Sequence, residues 1–367
     1  MNKIMRTLLL ATLMILSAAG CHRRPLEDPS SAVRIRIKVN VKTVTNVNAN
    51  IRTSVSVYGS TESLWAPKVK QLDPGTMRVL VYDPYTEKKL QPETFISEAG
   101  YDEEGNKVFN GSLPISHGDY NFLVYNFDTP TTQVAHLENE ESILAFTDEI
   151  PESLKTKYTK TKDSSKAGDQ PITDDISIRY EPEHLLVANE KNVRISPHDT
   201  LVVVKTEAFT VVDTYYLQVR IVGRQFASSA TAVISGLSPS NRIGLNERTV
   251  DPSAAVIFDM VQGRDEALAG ENKDVLCAVF NTFGKIPEVT SDLLVTFNIT
   301  DTAGNLLQYP VNLDKVFDSE LCHLYHWLII DDYIIEVPDP GTKPTPGGGG
   351  FQPQVDDWVE EEGTMVL

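Results

Sequence analysis

The chain has 367 residues, of which 41% are hydrophobic, and its formal net charge is −18 at pH 7. A chain this acidic repels phosphate backbones, which argues against nucleic acid as a partner. The length predicts about two domains, each large enough to bury a hydrophobic core of its own.

The amino terminus has the three parts of a secretory signal. Lys3 and Arg6 precede an apolar run from Leu8 to Leu16, and small residues follow as far as Gly20. The apolar run is shorter than the roughly 20 residues that a membrane-spanning helix needs. Residues 1–20 are therefore predicted to be a signal peptide.

Cys21 follows this segment directly. Small residues before a cysteine are typical of bacterial lipoprotein signals, in which the cysteine is lipidated and becomes the first residue of the mature protein. Ala18 departs from that pattern, which most often has leucine at this position. We expect lipidation at Cys21, and a plain secretory signal with an incidental cysteine is the alternative.

Two further cysteines, Cys277 and Cys322, remain if Cys21 carries a lipid. An even number of cysteines in an exported protein allows a disulfide between them. The sequence gives no distance between the two residues, so a Cys277–Cys322 disulfide and two buried free thiols both stay open.

The mature chain is predicted to be rich in β-strands. Val33–Lys42 alternates apolar and polar residues, which predicts a strand with one buried face and one cationic, solvated face. Asp119–Phe127 and Leu201–Lys205 are apolar on both faces and are predicted to be interior strands. Turn signals between such runs favour an all-β sandwich over alternating strands and helices.

The predicted organisation has four parts. A signal peptide spans residues 1–20, an amino-terminal β-sandwich domain spans 21–192, and a carboxy-terminal β-sandwich domain spans 193–337. The join is placed near the polar stretch Asn189–His198, because a long β pattern follows it. Residues 338–367 form a linker rich in glycine and proline and then a terminal strand or tail, which is either donated to another chain or folded back.

The sequence holds no strong catalytic or metal-binding motif. It lacks a G-x-S-x-G elbow, a P-loop, a G-x-G-x-x-G after a strand and an H-E-x-x-H. His323 and His326 come closest to a metal-ligand spacing, but Cys322–Ile330 is predicted to be a strand, in which residues three apart point to opposite faces. We therefore expect no enzyme activity, no cofactor and no metal site.

Three stretches resemble fimbrillin-like proteins of anaerobic Gram-negative bacteria. They are Ile115–Asn126, Tyr215–Gly223 and Phe280–Pro287, and they follow a lipoprotein-type signal and an early alternating strand. The similarity covers residues 21–340. It implies an all-β fold of two tandem transthyretin-like β-sandwich domains.

The same resemblance implies a non-enzymatic, fimbrium-associated anchor, tip or adhesive subunit that assembles by β-strand addition. A lipid on Cys21 would attach it to the outer membrane, and its partners would be fimbrial subunits or host and bacterial surface ligands. His22, Arg23 and Arg24 precede the first acidic residues after Cys21, so the side of the membrane on which the protein lies stays open.

Two further hypotheses concern ligands and modification. An envelope lipoprotein could bind a glycan or another ligand through an aromatic surface, with Trp65, Tyr82 and Tyr85 as candidates. Asp199-Thr200-Leu201 and Asp301-Thr302-Ala303 match the Asp-Ser/Thr-apolar pattern that such bacteria O-glycosylate. Thr200 and Thr302 are therefore candidate glycosylation sites.

Overall fold

The computed structural model describes residues 33–41, 54–159, 176–251, 254–286 and 293–341. Among these residues, the strands up to Thr210 are β1 (Val33–Val41), β2 (Val55–Val57), β3 (Met77–Tyr82), β4 (Lys89–Ile96), β5 (Ala99–Tyr101), β6 (Lys107–Ile115), β7 (Gly118–Asn126), β8 (Thr132–Ala135), β9 (Leu144–Thr147), β10 (Ser177–Tyr180), β11 (Leu186–Ile195) and β12 (Leu201–Thr210).

The later strands are β13 (Asp213–Val222), β14 (Ala227–Ser235), β15 (Ser240–Arg242), β16 (Glu247–Arg248), β17 (Ala254–Asp265), β18 (Asp274–Thr282), β19 (Leu294–Asp301), β20 (Leu306–Asn312) and β21 (Trp327–Glu336). The helices are short, namely α1 (Ala66–Lys70), α2 (Glu152–Thr159), α3 (Asp314–Phe317) and α4 (Glu320–Tyr325), with 3₁₀ turns at Glu140–Ser142 and Arg224–Phe226.

The strands form two large curled sheets and one small sheet. The first sheet has the order β4-β3-β7-β11-β12-β1-β6-β5, and the second has the order β20-β19-β14-β17-β18-β13-β21. The small sheet, β16-β15-β9-β8, takes strands from both halves of the chain. The predicted all-β fold with two tandem sandwich-like domains is confirmed.

The first sheet curls so far that its two ends meet. β4 lies at one end of the strand order, yet it contacts β6 near the other end. Gly111 in β6 allows this approach, because a Cβ atom at residue 111 would lie 2.5 Å from Cδ1 and Cγ1 of Ile96 in β4. Glycine is needed here for the close contact between the strands.

Each large sheet has its own hydrophobic cluster on one face. The cluster of the first sheet contains Val33, Ile35, Ile37, Val39, Val41, Met77, Val79, Val81, Ile96, Phe109, Leu113, Ile115, Phe122, Val124, Leu186, Ala188, Ile195, Val204 and Ala208. The cluster of the second sheet includes Leu217, Val219, Leu276, Phe280, Val295, Phe297 and Leu328. Two separate cores correspond to two domains.

A third cluster is shared between the two halves. It contains Leu80, Tyr82, Leu123, Tyr125, Ile143, Ala145, Leu185, Val187, Val212, Ile243 and Phe283. Leu80 and Leu123 alternate along β3 and β7 with members of the first cluster, so these two strands are buried on both faces. The prediction of an interior strand is thereby confirmed for the β7 residues Asn121 to Asn126.

The chain passes from the first sheet to the second between Thr210 and Asp213. The boundary predicted between 192 and 193 instead falls inside β11, and β2 and β10 from the earlier half pair with β17 of the second sheet. The polar stretch that suggested a linker is a register shift in β11, with Asn192 at a φ of 58°. A bulge and a linker both favour polar residues, which explains the difference.

Two other predictions about strands are corrected by the structure. Leu201 and Val203 in β12 are each 46% exposed, so this strand is buried on one face rather than both. Cys322 to Tyr325 are helical rather than extended, and the strand starts at Trp327. Ser319 caps α4, accepting a hydrogen bond from the Cys322 amide at 3.2 Å, which fixes the start of the helix.

Candidate assembly site around the first strand

The side chains of β1 alternate between a buried face and a face that is exposed at its start and half-buried at Lys38 and Asn40. Ile35, Ile37 and Val39 are fully buried, whereas Arg34 and Arg36 are exposed. Each fully buried aliphatic side chain contributes about 1.5–3 kcal/mol to the stability of the fold. The buried side chains of β1 are therefore a large part of the first core.

Both edges of β1 are paired with strands far away in the sequence. β1 runs parallel to β12, with Ile35 opposite Val202 and Val41 opposite Ala208. It runs antiparallel to β6, from Val33 opposite Ile115 to Val41 opposite Lys107. β1 therefore fills a slot between two strands that are not its neighbours in sequence.

The slot supplies hydrophobic contacts as well as backbone partners. The cluster around β1 includes Phe109 and Leu113 from β6, Val204 and Ala208 from β12, and Met77 from β3. A strand that enters such a slot gains main-chain hydrogen bonds along both edges and apolar contacts at alternate side chains. This geometry is suited to holding a β-strand, whether from the same chain or from another.

Among the described strands, β20 and β21 lie at the two ends of the second sheet. β21 carries exposed Asp331, Asp332 and Glu336, and its pairing with β13 shifts register between Val219 and Arg220. Acidic side chains and bulges discourage uncontrolled pairing of an edge with other strands. The register is regular over Trp327 to Ile330, before the shift.

The two threonines predicted as glycosylation sites are both accessible. Thr200 lies in the turn before β12 and Thr302 lies in the turn after β19, and both residues are exposed. Their preceding aspartates organise the turns, because Asp199 accepts from the Ser196 amide at 2.7 Å and Asp301 accepts from the Asn305 amide at 2.8 Å. The pattern around each threonine therefore also has a structural role.

Cys277 and Cys322 are both buried and free. Cys277 packs with Trp65 and Tyr216 on one face of the second sheet, while Cys322 belongs to the core on the other face. Because the sheet lies between the two thiols, they do not form the Cys277–Cys322 disulfide that the sequence left open. The structure instead has two buried free thiols. Burial raises the pKa of Cys277 to about 12 and that of Cys322 to about 11, so both thiols are protonated at neutral pH.

The aromatic residues suggested as a ligand platform do not share a surface. Trp65 and Tyr82 are buried in different hydrophobic clusters, whereas Tyr85 is 80% exposed. The Tyr85 hydroxyl donates to the Asp119 carboxylate at 2.8 Å. The glycan-binding hypothesis therefore loses the platform on which it was based.

His323 lies in α4 and His326 takes the left-handed position that ends this helix, with a φ of 55°. In the described part of the chain, no three His, Cys, Asp or Glu side chains are grouped as a metal ion would require. Within the same residues, no helix is both long and apolar enough to cross a membrane. Cys21, the signal segment 1–20 and the terminal residues 342–367 lie outside the described residues.

Residues 64–259 match a family described as a domain of unknown function, DUF5119. The match covers more than half of the 367 residues. The chain belongs to this family. The DUF5119 region begins just before α1 and ends inside β17, so it takes in strands of both large sheets but not β1.

Two further proteins are similar to this chain. A fimbrium anchoring subunit, Fim4B of Bacteroides ovatus, is 22% identical over 282 residues, which are 70% of this chain and 77% of the relative. The crystal structure of an adhesin from Bacteroides ovatus has a TM-score of 0.55 and 18% identity, and it covers 88% of this chain and 99% of the adhesin.

A third similarity is to the fimbrial anchor protein Mfa2 from Porphyromonas gingivalis, with a TM-score of 0.44 and 10% identity over 81% of this chain and 88% of that protein. The first two similarities confirm the resemblance to fimbrillin-like proteins. This chain and the Bacteroides ovatus adhesin share a fold over nearly the whole length of the adhesin.

Sequence reasoning missed a buried polar network at the place where the chain passes from the first sheet to the second. His184 is 1% exposed, and its Nδ1 and Nε2 atoms each lie 3.0 Å from a threonine hydroxyl, Thr210 in β12 and Thr214 in β13. The Thr214 hydroxyl also donates to the side-chain oxygen of Asn281 at 2.8 Å.

The network continues to the surface of the junction. Asn281 donates through its side chain to Gln71 at 2.9 Å and through its amide to Glu181 at 2.9 Å. Glu181 is paired with Lys68 at 2.7 Å. A single histidine among apolar residues gives no periodic signal, and its partners are far apart in the sequence, so the network could be found only in the folded chain.

Proposed function

We propose that this protein is a non-enzymatic, fimbrium-associated anchoring subunit, attached to the outer membrane by a lipid on Cys21. The observation that carries the proposal is the similarity to a named fimbrium anchoring subunit over 70% of the chain. The fold shared with an adhesin is consistent with it. The predicted signal segment and the cysteine after it supply the attachment.

We further propose that the subunit joins its fimbrial partners by β-strand addition. β1 occupies the slot between β6 and β12 with its aliphatic side chains buried. A subunit that keeps this strand in place has its own slot filled and does not need a donor there. Such a subunit suits the base of a polymer, where it must stay folded while it is attached to the membrane.

Labelling with a palmitate analogue in cells tests the attachment. We expect the wild-type protein to carry the label and to fractionate with the outer membrane, and Cys21→Ala to be unlabelled and released. Cys277→Ala is the matched control and should be labelled like the wild type, because residue 277 is buried in the second sheet. An unlabelled wild-type protein would overturn the lipid anchor.

Deletion of the gene tests the fimbrial role separately. We expect fimbriae of altered length or fimbriae shed into the medium, and we expect the protein in a fimbrial fraction purified from wild-type cells. If that fraction lacks the protein and the soluble chain is retained on a polysaccharide column, the protein is a glycan-binding lipoprotein instead.

A further inference from the structure

The outer face of β1 and β12 combines cations with exposed aliphatic side chains. We call this surface the basic face, and it consists of Arg34, Arg36, Lys38, Leu201, Val203 and Lys205. The parallel register places Arg34 beside Leu201, Arg36 beside Val203 and Lys38 beside Lys205. The six side chains therefore form two adjacent rows on the side of the first sheet that faces away from its core. The exposed Glu207, opposite Asn40, follows Lys205 in the β12 row and ends the basic face.

Among the described residues, the four cations of the basic face have no ion-pair partner. None of them has an ion pair or a side-chain hydrogen bond to another described residue. Glu98 lines a shallow groove with Arg34 and Arg36, and the charge of Lys38 helps to lower the pKa of Asp102. The parallel register brings these four cations close together on a chain whose net charge is −18.

Leu201 and Val203 give the same surface an apolar component. Both side chains are 46% exposed, although they lie in the middle of a sheet rather than at its edge. Arginine and lysine can lay their aliphatic stems along such side chains while their charged ends reach outward. Aliphatic groups flanked by cations are typical of surfaces that rest on anionic lipid headgroups.

The basic face also lies near the predicted lipid attachment point, which favours contact with the membrane. β1 begins at Val33, and the chain between Cys21 and Val33 can extend over at most about 40 Å. The rows start at Arg34 and Leu201, which is the end of the sheet where this segment enters. If Cys21 carries a lipid, the basic face is therefore held close to the bilayer.

We propose that the basic face lies against the anionic phospholipid headgroups of the membrane that anchors the protein. This inference rests on the proposed anchoring function for its biological setting. Repulsion between the anionic bilayer and the acidic remainder of the chain favours an orientation in which this face approaches the membrane. The contact would set the direction in which the rest of the subunit projects from the membrane.

Vesicle co-sedimentation of residues 22–367 tests the proposal without the lipid. This chain keeps every residue that the structure describes, and therefore both sheets and all hydrophobic clusters. We expect it to bind vesicles of about seven parts phosphatidylethanolamine to three parts phosphatidylglycerol, and to bind phosphatidylcholine vesicles much more weakly. Salt at about 0.5 M should release it, because ions screen the attraction.

Two variants with the same change in net charge distinguish an effect of the basic face from an effect of net charge alone. Arg34→Gln, Arg36→Gln, Lys38→Gln and Lys205→Gln together should weaken binding by up to about 600-fold, since each of the four cations near an anionic surface contributes roughly fivefold. Lys70→Gln, Lys88→Gln, Arg242→Gln and Lys315→Gln remove four exposed cations elsewhere and should change binding far less. Circular dichroism checks that both variants are folded.

Three outcomes would overturn the proposal: equal binding to the two kinds of vesicle, equal weakening by the two variants, or retention on an anionic polysaccharide without binding to vesicles. The last outcome would assign the face to a glycan. Since the tested chain lacks Cys21, a failure here leaves palmitate labelling unaffected, and a failure of labelling leaves this binding unaffected.

Discussion

His184 links the two sheets through one buried side chain. It lies between Thr210 at the end of the first sheet and Thr214 at the start of the second, with both ring nitrogens in hydrogen bonds. Burial, followed by the nearby Lys68 cation, lowers the pKa of His184 from 6.5 to about 4. The folded protein therefore holds this imidazole in its neutral form at physiological pH.

We expect the free energy of unfolding to fall as the pH is lowered, and His184→Gln to remove part of that dependence. Between pH 6.5 and about 4 the unfolded chain binds the proton and the folded chain does not. The stabilisation that comes from the lowered pKa of His184 is complete above pH 6.5. It decreases below that pH and levels off near pH 4, for a total loss of about 3 kcal/mol. Urea unfolding at several pH values measures it.

The exposed His198 provides the control for this comparison. His198→Gln should leave the pH dependence of the wild type unchanged, including the part that comes from carboxylates. If His184→Gln and the wild type lose stability in parallel down to pH 4, the imidazole is not held neutral by the junction. Such a result would show that His184 does not make the contact between the two sheets sensitive to pH.

At the scale of elements, β1 and β12 show when a sequence pattern predicts the buried and exposed faces of a strand correctly. The alternation in β1 predicts its buried and exposed faces correctly, because a solvated outer face leaves a clear period of two. β12 has apolar residues on both faces, which predicts burial on both. Its outer face is exposed because no other element in the described part of the chain covers it, and coverage depends on strands and loops that are distant in the sequence.

We expect Ile37→Ala in β1 to lower the free energy of unfolding by about 2–5 kcal/mol, because it opens a cavity in the first core. Ile37 is fully buried between β6 and β12. Arg36→Ala, one residue away on the exposed face, should change stability by no more than about 0.5 kcal/mol. Urea unfolding of the full chain compares the two.

Equal effects of Ile37→Ala and Arg36→Ala would mean that β1 does not fill its slot in solution. In that case the slot would be open to a strand from another subunit. The proposal of a subunit that keeps its own first strand would then have to be given up.

At the scale of the whole molecule, the two domains are joined by more than a linker. The small sheet combines β8 and β9 with β15 and β16, and the third hydrophobic cluster places Phe283 against residues of the first sheet. β2 and β10 cross over to pair with β17. An interface with its own apolar core favours unfolding of both domains in one cooperative step.

We expect Phe283→Ala to cost about 3–5 kcal/mol and to separate the unfolding of the two domains. Trp65 and Trp327 both pack on the second sheet, so their fluorescence reports that domain, while far-UV circular dichroism reports both. Trp358→Phe in every chain removes the remaining tryptophan signal. The two probes should coincide for the parent and diverge for Phe283→Ala.

Phe297→Ala is the matched control, because Phe297 lies in the core of the second sheet alone. It should lower the midpoint while the two probes still coincide. Coincident probes for Phe283→Ala as well would show that the shared cluster does not couple the domains.

The sequence by itself determined the all-β class, the strand at β1 with its two faces, and the buried run in β7. These features depend on local alternation and on runs of apolar residues, which a strand turns directly into faces. The predicted signal and Cys21 are likewise local patterns.

The tertiary structure alone decided the position of the join between sheets, the separation of Cys277 from Cys322 and the exposure of the β12 outer face. It also decided the surroundings of His184, whose partners come from β12 and β13. Each of these depends on which distant segments come into contact, and local patterns contain no information about such contacts. The basic face depends on both the sequence and the tertiary structure. The local alternation in β1 predicts its exposed arginines, and only the parallel pairing with β12 places the aliphatic side chains beside them.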